Sequence, residues 1–293
     1  MWKISAPIWT FFERQTRFFR LGKRVSLEGV VKGLAELGFD GIELGIFDLG
    51  KDGSREQIDK VNELVKSHGF GVPSVYVDIA GRWPLAAFTH PSTEVRRDVT
   101  EHFKTCIEIA KAMGTKIVGI CPDSDGFPHP LGVPFKNAWK WFVEGMSDCV
   151  DAAADAGLKV GLEYKPKETR NFSLISNADT LLRVVDQIRS SNLGAVLDTG
   201  HVFYAKEDLP TTVEKLDKVL IHVHLCDSYG DWDDDLIPGA VHDFTDFFKA
   251  LKSIGYEGYV GLDIYPMQDP FDACKKSREY IQEMYAKLAS QTQ

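Results

Sequence analysis

The sequence predicts an α/β fold, a single (β/α)8 TIM barrel over residues 1–293. Three observations point there. Short β-rich apolar runs alternate with longer helical patterns, as in chained βα units. One phrase recurs as ELGFDGIEL, AMGTKIVGI, DAGLKVGLE and SIGYEGYVGLD. Each copy reads helix end, glycine, strand, so the chain repeats one unit instead of joining separate domains. The 293 residues also suit this fold, which typically takes about 250. A doubly wound open sheet is the alternative, but it would not bring the ends of strands 5 to 8 around one point.

Eight strands are expected: Lys3–Trp9, Gly41–Ile46, Val72–Val77, Lys116–Cys121, Lys159–Tyr164, Leu193–Asp198, Val219–Leu225 and Tyr259–Ile264. Unbroken apolar stretches such as Ala195-Val-Leu and Val219-Leu-Ile suit strands covered on both faces. Helical periodicity fills the gaps. Leu27, Val30, Val31, Leu34 and Leu37 form one stripe ending at Gly38, and Val143 to Ala156 is closed by Gly157. Active sites in this architecture lie at the C-terminal strand ends. The longest loops there are Thr10–Ser26, Pro122–Pro134 and Cys226–Ala240. The first interleaves Phe11, Phe12, Phe18 and Phe19 with Arg14, Arg17, Arg20, Lys23 and Arg24. It reads as a solvated, partly packed loop or as a lid or subunit contact. The run Trp139-Lys-Trp141-Phe142 reads as a subunit contact or as the inner face of its helix, and a homo- or hetero-oligomer is open. Ser290–Gln293 reads as dispensable.

Composition narrows the function. A net charge of −9 argues against a nucleic-acid partner, which usually requires a basic face. Five scattered cysteines without a CxxC pair point to reduced thiols and a cytoplasmic setting. Met1-Trp-Lys-Ile leads directly into the first strand, without the apolar segment of a signal peptide, and no long apolar span suggests a membrane.

Four residues carry the chemistry: Glu163, Asp198, His224 and Asp263, each at or near the C-terminal end of a strand-like run. In a barrel these ends converge, and three carboxylates with one imidazole suit a hard or borderline divalent cation. Each has a plainer reading. Glu163 and Lys165, two apart, would share a face as a structural ion pair or as ligand and electrostatic polariser. Asp198 follows an apolar run, where a carboxylate needs a partner, yet it also suits a helix N-cap. His201, three residues on, is a candidate donor to substrate. Of the pair His222 and His224, His224 is nearer the mouth and is preferred as ligand, leaving His222 as a satisfied interior histidine. Asp263 is a ligand or a loop carboxylate. Asp227 would orient a ring or contact a substrate hydroxyl. Trp9, Glu43, Trp83 and His129 fall on or near strand-end loops and are candidates to line the pocket.

These motifs resemble the xylose isomerase-like TIM-barrel superfamily, which holds sugar isomerases, ketose 3-epimerases, inosose dehydratases and endonuclease IV-type enzymes. The resemblance spans essentially the whole chain. It rests on the strand-5 glutamate, Asp198-Thr-Gly-His201 and His222-x-His-x-x-Asp227. It implies that Glu163, Asp198, His224 and Asp263 are metal ligands and that His201 contacts substrate. Glu163-Tyr-Lys-Pro-Lys-Glu168 is similar to a Glu-x-Lys-Pro-x-Glu segment whose lysine assists catalysis, which maps onto Lys165. Asp263 stands where the 3-epimerase branch usually has glutamate. Endonuclease IV-like members place extra histidines on strands 3 and 4, where this chain has Tyr76-Val-Asp78 and Cys121-Pro-Asp123, so DNA repair is disfavoured. The loop Tyr265-Pro-Met-Gln lacks the glycine of a phosphate cradle, which favours a non-phosphorylated substrate.

The expected function is therefore a divalent-metal-dependent sugar isomerase or epimerase, with Mn²⁺ first and Mg²⁺, Co²⁺ or Zn²⁺ as alternatives. It would act through an enediolate formed by proton abstraction next to a carbonyl. Glu163 is the first candidate base, Asp263 faces it, and His201 and Lys165 steady the oxyanion. A hydride shift is the other isomerase route. The alternative activity is a lyase or dehydratase on an oxidised sugar such as a 3-oxo-glycoside or inosose. A non-catalytic sugar-binding subunit is a third reading.

Overall fold

Strand β1 (Lys3–Pro7) is parallel to β2 (Gly41–Gly45), and the pattern continues through β3 (Val75–Tyr76), β4 (Ile117–Ile120) and β5 (Lys159–Glu163). It goes on through β6 (Leu193–Asp198), β7 (Leu220–Leu225) and β8 (Tyr259–Leu262), which pairs with β1 and closes the barrel. This is a computed structural model that describes residues 2–11, 14–15, 20–21, 25–46, 54–77, 88–121, 132–166, 173–231, 234–265 and 269–290. The expected barrel is present, with the sixth strand as expected and the other seven shorter than their apolar runs. The third loses most. Parallel pairing begins at a Gly41–Gly71 bridge, but Pro73 has no N–H to offer, and the regular strand starts only at Val75. The first ends at Pro7 and passes into a 3₁₀ turn, Ile8–Phe11.

Helices α1 (Leu27–Glu36), α2 (Arg55–Ser67), α3 (Thr93–Ala112), α4 (Phe135–Asp155) and α5 (Ala178–Ile188) cover the first part of the barrel. Two short helices, α6 (Thr199–Tyr204) and α7 (Leu209–Leu216), follow β6, and α8 (Thr245–Ser253) and α9 (Pro270–Ser290) complete the ring. Their starts are legible. Ser26 caps α1 by accepting from the Gly29 amide, and Asn177 with Thr180 forms a capping box on α5. Gly38 and Gly157 end the expected helices at φ of 75° each, a left-handed conformation that glycine adopts without a Cβ clash.

Helix α4 buries Ala138, Trp139, Phe142, Met146, Cys149, Val150 and Ala153 on its inner face. Trp139 donates its Nε1–H to Gln187 of α5 at 2.8 Å, and Arg96 of α3 lies 4.3 Å over the Trp141 ring. The inner-face reading holds for Trp139 and Phe142, while Trp141 is half-buried. The loop after β1 is pinned at its base. The Val25 amide donates to Phe11 O at 3.2 Å, and the buried Phe11 ring packs on Phe271. Arg14–Gln15 and Arg20–Leu21 form a small antiparallel ribbon within it. Phe12, Arg17, Phe18, Phe19, Lys23 and Arg24, on which a lid role would rest, lie outside the described residues.

Parallel register sets the site. A register shift at Ala195/Val196 pairs Val196 with His222 and Asp198 with His224, while Gly261 of β8 stands beside His224 on its other flank. No helix among the described residues is long and apolar enough to cross a membrane.

Candidate metal centre at the barrel mouth

Glu163 and Asp198 are the last residues of β5 and β6, His224 is the penultimate residue of β7, and Asp263 immediately follows β8. One ligand atom from each of the four lies within 4.8 Å of all the others. That spacing suits the sphere of a cation whose bonds to oxygen are about 2.1–2.4 Å. His224 Nδ1 is buried without a hydrogen bond, 3.5 Å from Asp263 Oδ2 and 3.6 Å from Glu163 Oε2. A buried imidazole nitrogen facing two carboxylates across gaps too long for hydrogen bonds is a donor arrangement that a divalent cation would satisfy. The donor set fits a hard or borderline divalent ion.

The carboxylates are held from outside the cluster. Glu163 Oε2 accepts from the Tyr76 hydroxyl at 2.9 Å, and its Oε1 lies 3.2 Å from His201 Nδ1. Asp198 Oδ1 caps α6 by accepting from the His201 amide at 3.0 Å and takes the Cys226 thiol at 3.3 Å. The N-cap and cluster readings of Asp198 therefore coexist in one side chain. Asp263 Oδ1 accepts from Trp9 Nε1 at 2.9 Å. Trp9 stands edge-on to Tyr76 and His224, with centroids 5.4 and 6.3 Å away, and Tyr76 stacks on His224 at 5.2 Å. This aromatic wall keeps water from one side of the cluster and supplies two of its hydrogen bonds.

The electrostatics follow from burial against paired charge. Burial pushes the Glu163 carboxyl up, but the His201 and His224 imidazoles outweigh it and hold the group below the carboxylate range. Asp263 goes the other way. Burial, then the nearby Asp198 and Glu163 charges, raise it to about 7 against the opposing pull of His224 and Trp9. Burial lowers the His224 imidazole, and the carboxylates of Glu43 and Glu163 more than reverse this. Three acids crowd around one base here, an excess of negative charge that a divalent cation would balance.

Two residues expected at the pocket wall are placed elsewhere. Glu43 is wholly buried on the far side of the His224 ring, where it contacts Ser5, Ser74, His222 and His224. Its position in mid-strand, not on a loop, explains the difference. Asp227 is also wholly buried, and its oxygens accept from the Ser228, Val241 and His242 amides and contact His242 Nδ1 at 2.8 Å. It holds the His242 ring, the first of the two roles expected for it, and closes the loop after β7. Lys165 is half-buried two residues beyond β5, its amide donating to Ile175 O. Trp83, His129, Asp78 and Asp123 lie outside the described residues. Sequence reasoning passed over Tyr76, Ser5, Ser74 and Cys226 as site residues. The usable signal was a polar residue interrupting an apolar strand, as in Ile4-Ser5-Ala6.

Known proteins share this barrel. Residues 31–284 match the family described as xylose isomerase-like TIM barrel. The chain is 24% identical over 258 residues to the fructoselysine 3-epimerase of Shigella flexneri, covering 86% of this chain and 91% of that protein. It is 21% identical over 292 residues to the inosose dehydratase of Geobacillus thermodenitrificans, covering 90% and 91%. The solved structure of an L-ribulose 3-epimerase superposes with a TM-score of 0.81 at 18% identity, over 100% of this chain and 97% of that one. With the family match running through most of the barrel and its mouth, the chain belongs to the xylose isomerase-like TIM-barrel family.

Proposed function

We propose that this protein is a divalent-metal-dependent epimerase or isomerase of a non-phosphorylated sugar or sugar derivative. The observation that carries the proposal is the Glu163–Asp198–His224–Asp263 cluster, with His224 Nδ1 buried between two carboxylates. These four residues would hold the cation. When bound, it supplies Lewis-acid stabilisation of negative charge developing on adjacent substrate oxygens. Mn²⁺ is the first candidate, with Mg²⁺, Co²⁺ and Zn²⁺ behind it.

The chain's own groups supply the proton chemistry. Glu163, held ionised by His201 and His224, removes the proton from the carbon next to the substrate carbonyl. Asp263, facing Glu163 across the cluster, returns a proton from the other side. Tyr76 and Trp9 orient these two carboxylates through one hydrogen bond each. His201 and Lys165 steady the charge on the substrate oxygen. Trp9, half-buried at the mouth, also lines the pocket, with Trp83 and His129 as further candidates. The related fructoselysine 3-epimerase supports epimerisation. The related inosose dehydratase supports a second reading, in which the same proton abstraction is followed by loss of water. A cytoplasmic location fits five free, buried cysteines.

Metal analysis of the purified chain by ICP-MS tests the site, beside Glu163→Gln and His224→Ala. About one divalent ion per chain, lost in both variants, is expected; no metal after reconstitution with Mn²⁺ overturns the proposal. A screen of free ketoses and inososes then separates the two readings, since epimerisation leaves the substrate mass unchanged and dehydration removes one water.

A further inference from the structure

Inside the barrel, where this architecture normally stacks Val, Ile and Leu, the protein keeps an acid. Glu43 of β2 is wholly buried and accepts from four protein groups. Ser5 Oγ donates to Oε1 at 2.8 Å, Ser74 Oγ donates to Oε2, and the Nε2 atoms of His222 and His224 lie 2.9 and 3.1 Å from Oε2. The neighbouring strand makes room. A Cβ on Gly261 would come 2.1 Å from Glu43 Oε1 and 3.1 Å from Ser5 Oγ, so any side chain at that position would displace the carboxylate.

We propose that Glu43 is the positioning residue of the metal centre, fixing the ring orientation and tautomer of His224 from the side opposite the cation. The inference rests on the metal site proposed above. An ionised carboxylate only accepts, so both imidazoles must present Nε2–H to it. With its Nε2 proton committed to Glu43, His224 turns Nδ1 toward Glu163 and Asp263 as a lone-pair donor. Histidine ligands commonly use a carboxylate on the other ring nitrogen in this way, which raises ligand basicity and removes rotational freedom. His222 shares Oε2 and completes the cage, which accounts for an otherwise unexplained second histidine in the strand. A cation held by Glu43, His222 and His224 is the competing arrangement. The 2.9 and 3.1 Å contacts, together with two serine donors on the same carboxylate, mark these instead as hydrogen bonds.

Two measurements test this on the full chain. In Mn²⁺ titration calorimetry, Glu43→Gln is expected to weaken binding by about 10–100-fold. Glu43→Asp, which keeps the charge but is one methylene shorter, should recover part of the loss. A folded Glu43→Gln protein that binds Mn²⁺ as wild type does overturns the proposal. The second measurement needs no variant. Long-range ¹H–¹⁵N spectra of wild type labelled in histidine, without metal and with diamagnetic Mg²⁺, are expected to show a proton on His224 Nε2; an unprotonated Nε2 overturns the proposal even if Glu43→Gln fails to fold. Failure of wild type to bind any divalent ion would sink the metal-enzyme reading, while an unprotonated His224 Nε2 in the metal-free spectrum would overturn the role of Glu43 independently of it.

Discussion

A carboxylate taken into a protein interior loses several kcal/mol of hydration unless hydrogen bonds replace it. Glu43 and Glu163 show the same solution twice, each oxygen meeting a donor or an imidazole. For Glu43, burial raises the carboxyl, and the His222 and His224 imidazoles bring it well below the ordinary range. Tyr76 is the clean place to measure such a bond, because Tyr76→Phe removes one hydroxyl and leaves Glu163 Oε2 short of a donor. The variant is expected to lose about 1–3 kcal/mol of unfolding free energy in the metal-free state, read by urea denaturation. Tyr76 was visible in the sequence only as a position that was not histidine. Its donor role depends on a neighbour 87 residues away.

At the scale of elements, strand ends place the four residues of the cluster and caps hold the helices between them. Asp208 caps α7, its Oδ1 accepting from the Thr211 hydroxyl and, at 3.1 Å, from the Thr211 amide; these bonds hold its carboxyl below the usual value. A lowered folded value means the cap stabilises fully above the unfolded carboxylate pKa of about 3.9 and fades as pH falls through the lower folded value. Asp208→Ala is therefore expected to cost about 1 kcal/mol at neutral pH, with the difference shrinking toward pH 3 in parallel urea unfolding curves. Packing between strands gives a second test. A Cβ on Gly119 of β4 would meet the Tyr76 ring at 2.4 Å, so Gly119→Ala should destabilise by about 1–3 kcal/mol and disturb the wall beside His224. Thermal unfolding, with Mn²⁺ affinity read in parallel, checks both effects.

For the whole molecule, the cluster at the mouth joins four strands, β5 to β8, through side chains of mostly like charge. Without a cation these strand ends repel one another, and a ligand bound only by the folded chain stabilises by mass action. Mn²⁺ at 100 times its dissociation constant is expected to add about 2.7 kcal/mol, which excess chelator should remove. Differential scanning calorimetry with and without EDTA reads this, and an unchanged midpoint would contradict a shared site.

The alternation of apolar runs and glycine-ended helices determined the barrel from sequence alone, because side-chain periodicity and helix stop signals are local properties. The same local reading placed Glu163, Asp198, His224 and Asp263 at strand ends, and a closed parallel barrel leaves such ends only one place to meet. What the tertiary structure decided was direction. Whether Glu43 faces the pocket or the interior depends on register across β1, β2 and β8, and on the absence of a side chain at Gly261. Asp227 looked like a pocket residue by its place in a motif, yet it turned to the amides of residues 241 and 242. Trp9 and Tyr76 gained their carboxylate partners only when strands distant in sequence became neighbours. Position along a strand is written locally. A buried polar group finds its partner through contacts between distant segments, and those exist only once the barrel closes.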